Sequence, residues 1–122
     1  MSLARRRRAQ RTGRWAETAC VAVLRLKGYR VLARRWRAPV GEIDIIARRG
    51  RLIVFVEVKA RASRRAALEA VSTRQRARIA RAAAWFLQSR PELAGLACRF
   101  DVFVVAKRRL PAHIQGAWEQ EA

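Results

Sequence analysis

Two apolar runs, residues 42–48 and 52–60, meet at Arg49-Gly50-Arg51, and nothing else in the chain restricts its fold as much. Gly first in a two-residue loop suits a type II′ turn, so Gly50-Arg51 closes an antiparallel hairpin. Residue 49 then opposes 52, which puts Asp44 opposite Glu57 and Glu42 opposite Lys59. Side chains alternate across a strand, so the acids and Lys59 share one face while Val56 and Val58 point to the other. A slip of two residues keeps them there. Opposed Cβ atoms lie about 4.5–5.5 Å apart, close enough for two carboxylates to share one hard cation.

Acids on such strands are costly, and this chain has few to spend. It carries 28 Lys and Arg against 9 Asp and Glu, a net charge of +19, which points to a polyanion as partner. Only Lys27, Lys59 and Lys107 are lysines. A GC-rich genome accounts for that preference but not for the shortage of acids; a merely solvated basic surface is the plainer alternative. Two apposed carboxylates repel each other and resist desolvation unless a cation sits between them. Mg²⁺ or Mn²⁺ fits that place: the metal polarises a scissile phosphate and acidifies a water, while Lys59 orients the water or steadies charge on the phosphate oxygens. The competing reading is a salt-bridge cluster on an exposed sheet face. Ile45-Ile46 and Ile53-Val54-Phe55-Val56 favour a sheet covered on both sides.

At 122 residues the chain has room for one domain, read as residues 13–122 behind a flexible arginine-rich arm at 1–12. Cys20 and Cys98, with His113 as the lone histidine, do not make a tetrahedral zinc site; both read as buried apolar residues of a reducing compartment. No span reaches the roughly 20 apolar residues of a membrane helix, so a soluble cytoplasmic protein is expected. A helix over Arg14–Lys27 has Trp15, Ala19, Ala22, Val23 and Leu26 on one face and Gly28 as its stop. Glu17 belongs to a second stripe with Cys20, Val21 and Leu24. It either points at the sheet or answers the helix dipole. A strand over Tyr29–Arg37, the hairpin, a helix from Ser72 or Thr73 to about Ser89 and a strand over Phe100–Ala106 follow. The fold class is α/β, a central mixed sheet flanked by helices in the order α-β-β-β-α-β.

Basic residues near the acids suit a phosphate backbone. Arg35 and Arg37 precede the motif and Arg61 follows it; Arg74, Arg78 and Arg81 line one face of the second helix with Trp85. A solvated face is the commoner meaning of such a stripe. Asp101 and Arg99 read as a structural ion pair.

Taken together, Gly13-Arg-Trp-Ala-Glu17, Gly28-Tyr29, Gly41-Glu-Ile-Asp-Ile-Ile46, Phe55-Val-Glu-Val-Lys59-Ala-Arg61 and Arg99-Phe-Asp-Val102 resemble the YraN-like family of small uncharacterised bacterial proteins over residues 13–118. That family is similar to archaeal Holliday junction resolvases within the PD-(D/E)xK nuclease superfamily. The resemblance implies a restriction-endonuclease-like fold and a Mg²⁺-dependent endonuclease acting on DNA, branched or otherwise structured. It implies Asp44, Glu57 and Lys59 as catalytic positions, Glu17 as the acid of the resolvase branch, and a metal held by Asp44, Glu57 and the Val58 carbonyl. A junction offers two strands to cut symmetrically, so a homodimer is one state it allows. The chain departs from the pattern at Ile43, where the superfamily has Pro, and at Arg74-Gln75-Arg76, where the family often has Lys. The alternatives are a non-catalytic basic module that keeps the nuclease fold and a small ribosomal-type RNA-binding protein.

Overall fold

In the computed structural model the hairpin forms as its turn dictates. β2 (Gly41–Arg49) and β3 (Leu52–Ala60) pair antiparallel in the expected register, from Arg49 with Leu52 to Ile45 with Val56. Gly50 supplies the positive φ of +60° that a type II′ turn needs at its first central position. The structure describes residues 3–119, with side chains from Arg14 onward; of the arm expected over residues 1–12, residues 3–12 are backbone of helix α1 and residues 1–2 lie outside those described.

Helix α1 (Leu3–Leu26) leads into β1 (Arg30–Ala38), which pairs antiparallel with β2. The crossover after β3 holds α2 (Arg64–Glu69), α3 (Thr73–Gln88) and a single 3₁₀ turn at Pro91–Leu93. It returns the chain to β4 (Ala97–Val105), parallel to β3, and β5 (Ala112–Trp118) then pairs antiparallel with β4. The sheet runs β1-β2-β3-β4-β5, so β3 is central. The α/β class and mixed sheet match expectation. Two elements go beyond it: α2, capped by the Ser63 side chain, and β5.

Alternation on β3 divides the interior into two cores. Ile53 and Phe55 pack with Ile79, Ala83 and Phe86 beneath α3, while Val54 and Val56 pack with Cys20, Val21 and Leu24 beneath α1. Of the two stripes on α1, the one carrying Glu17 faces the sheet, and Trp15 and Leu26 are 81% and 89% exposed. Small residues explain the choice: Ala16 and Cys20 are buried and let the helix approach closely, where an indole would hold it off. Cys98, expected inside, is exposed near the start of β4. Ser72 caps α3 by accepting from the Gln75 amide. Among the described residues no helix is long and apolar enough to cross a membrane.

Candidate metal and nucleic-acid site

The sheet opens at Asp44. Strand alternation would put Ile43 and Ile45 on one face, yet Ile43 packs in the core beneath α3 and Ile45 in the core beneath α1. The β2–β3 ladder stops at Ile45 with Val56, so Asp44 and Glu57 are neighbours past its end instead of ladder partners. The Asp44 carboxylate replaces the missing ladder bond, accepting the Val58 N–H at 2.8 Å. A residue in extended backbone points its N–H and C=O to the same side, so the Val58 carbonyl also faces the opening.

Glu57 continues the Ile53, Phe55 face of the central strand and is only 3% exposed. One carboxylate oxygen accepts from Gln75 Nε2 at 3.4 Å; the other, Oε1, is buried without a hydrogen-bond partner. Lys59 Nζ donates to Gln75 Oε1 at 3.3 Å, so one amide on the first turn of α3 holds both groups. Burial and the Asp44 charge push the Glu57 carboxyl well above its ordinary range. Burial also raises Asp44, against the hydrogen bond from the Val58 N–H and the Lys59 charge. A pair that resists ionising together, with an orphaned oxygen between buried walls, fits a hard divalent cation. Among the described residues no third acid, His or Cys joins it.

Glu17 is also buried, at 4% exposure, but its partners are arginines. Arg34 Nε meets its Oε1 at 2.9 Å and Arg35 Nε its Oε2 at 2.7 Å, while Arg34 Nη2 donates to Thr18 Oγ1 at 3.1 Å. Cys20 lies within reach of both the Glu17 and Asp44 charges; burial first, then those two acids, push its thiol up to about 12. Successive strand residues normally point to opposite faces. Here Arg35 takes φ +49°, a left-handed conformation that costs a non-glycine residue roughly 1–2 kcal/mol. That kink lets Arg34 and Arg35 converge on one carboxylate, and it falls between the pairs Arg34 with Ile45 and Trp36 with Ile43, across from Asp44.

The other sequence candidates are dispersed. Glu42 does not meet Lys59; it lies 3.5 Å from the Arg37 guanidinium on the exposed edge, because the ladder has already parted. Arg61 is exposed and bonds the Ala60 carbonyl, and Arg74, Arg78 and Arg81 are exposed on α3. Asp101, fully buried, is structural as expected: Arg99 grips it twice, at 2.8 and 2.9 Å, and His113 Nε2 and the Gly116 N–H complete its shell. Gln75 escaped sequence reasoning, although its position three residues after the Ser72 cap placed it on the first turn of the helix.

A mixed five-stranded α/β sheet, with Asp44 of β2 beside Glu57 and Lys59 of the central β3 where the two strands part, defines the class of fold. The model of the uncharacterised protein family UPF0102 matches residues 16–105, and the chain belongs to that family. It is 53% identical over 110 residues to a UPF0102 protein of Parvibaculum lavamentivorans, covering 90% of this chain and 83% of that one. Identity to a relative in Methylorubrum extorquens is 52% over 118 residues, 97% and 92% of the two chains. To one in Maricaulis maris it is 49% over 113 residues, 93% and 89%.

Proposed function

We propose that the protein is a Mg²⁺- or Mn²⁺-dependent endonuclease acting on DNA in the cytoplasm, on branched or structured substrates, in the manner of Holliday junction resolvases of the PD-(D/E)xK superfamily. The observation that carries this reading is the partnerless Glu57 Oε1 beside Asp44 and Lys59. Asp44, Glu57 and the Val58 carbonyl would hold the metal, which when bound supplies charge neutralisation at the phosphate and an acidified water. Lys59, steered by Gln75, donates toward the phosphate oxygens or the attacking water. The burial of Glu57 keeps bulk water from competing. Arg35, Arg37, Arg61 and the α3 arginines Arg74, Arg78 and Arg81 hold the backbone to either side.

Metal titration with branched, single-stranded and duplex DNA, for wild type and Asp44→Ala, tests the reading. Metal-dependent cutting lost in the variant supports it; binding by both with cutting by neither overturns it. The alternative, a non-catalytic basic nucleic-acid-binding module, is favoured by one observation: Glu17, the acid the resolvase branch would supply, is occupied by two arginines.

A further inference from the structure

The Glu17 cluster has a form that a structural ion pair does not require. Both arginines engage the carboxylate through Nε; among the described residues the outer guanidinium nitrogens of Arg35 and Nη1 of Arg34 make no hydrogen bond, and the two side chains are 34% and 42% exposed. A buried acid beneath two part-exposed guanidiniums holds them in one orientation at little further entropic cost, and planar donors so held suit a phosphodiester. Next to them on α1 stands an aromatic with no packing role. Trp15 is 81% exposed and sits three residues before Thr18, whose hydroxyl accepts from Arg34. Residues so spaced are neighbours on one helix flank, with Cβ atoms about 5–6 Å apart.

We infer that Trp15 and the Glu17-locked Arg34–Arg35 pair form a nucleotide subsite for single-stranded nucleic acid, the guanidiniums taking a phosphate and the indole stacking the unpaired base. This rests on the nucleic-acid reading above and names the substrate feature that reading leaves open: unpaired bases beside the position Asp44 faces. A paired duplex keeps its bases stacked internally and offers the indole nothing, whereas every unpaired base has a face to stack. Glu17 is then a positioning residue and not a catalytic acid.

Fluorescence-anisotropy titrations in EDTA, where no cutting occurs, test this with an oligothymidine strand and a blunt duplex. Trp15→Ala weakens binding of the single strand roughly tenfold and of the duplex less than twofold, and Trp15→Phe recovers most of the loss. Because Trp15 is exposed, the variant keeps its unfolding midpoint. Glu17→Gln separates positioning from simple charge: removing an acid should tighten binding to a polyanion, whereas release of the clamp weakens it. Equal losses on both nucleic acids, no loss with Trp15→Ala, or tighter binding by Glu17→Gln overturns the subsite. Absence of binding by the wild type overturns the nucleic-acid reading with it, and is recognisable as a separate result.

Discussion

Glu57 is the residue at which stability and the proposed function oppose each other. Its carboxyl is raised by burial and by Asp44, so above the unfolded value near 4.5 the unfolded chain releases a proton that the native state retains. Stability therefore falls as pH rises through that window. Glu57→Gln is expected to stabilise the metal-free protein by about 1–3 kcal/mol at neutral pH, with the gain shrinking as pH falls toward 4.5 and gone below it; urea unfolding at pH 4 and pH 7.5 checks it. Mg²⁺ or Mn²⁺ should raise the wild-type midpoint and leave the variant unmoved. Asp101 has the opposite sign. Burial raises it, but hydrogen bonds from His113, Arg99 and the Gly116 N–H outweigh burial and hold it below 3.8. Its contribution is present above 3.8 and lost as pH falls through the lower native value. Asp101→Asn, by leaving Arg99 short of its partner, should cost about 3–5 kcal/mol and flatten the acid limb of a pH-stability curve.

At the scale of elements, α3 is both core and site. Ser72 caps it and Gln75, one turn in, reaches Glu57 and Lys59. Ser72→Ala should cost about 1 kcal/mol in chemical denaturation and, if the proposed function holds, lower cutting more than binding by loosening that first turn. The hairpin, its register and the α3 cap were legible in the sequence because a two-residue turn and strict alternation allow few solutions. The opening at Asp44 was not, since it depends on Arg35 taking a left-handed conformation one strand away, and no pattern within β2 reports that. Which stripe of α1 faces inward was equally hidden: both are apolar, and the choice follows from how closely Ala16 and Cys20 let the helix approach. The lysine missing from Arg74-Gln75-Arg76 read as a departure until the fold placed Gln75 against Lys59.

For the molecule as a whole, the net charge of +19 sets how binding responds to salt. If the six arginines assigned to the backbone, Arg35, Arg37, Arg61, Arg74, Arg78 and Arg81, each neutralise one phosphate of duplex DNA, log K should fall against log salt with a slope of about −5. Titrations between 50 and 200 mM salt measure it; a slope near −1 would show that most of this charge serves solubility alone.

The sheet order also implies a sequence of assembly. β1, β2 and β3 are joined by short turns, whereas β3 meets β4 only after the chain has travelled through α2 and α3, and such distant pairing is slow to close. Pulse-labelled hydrogen exchange should find the Val56 amide protected before that of Val102. Asp44 and Glu57 would then come together while still hydrated, and Glu57 would be sealed from water only when the last half of the chain docks. The carboxylates meet early, in conditions where each tolerates its charge, and the strain of their proximity is deferred to the final folding step.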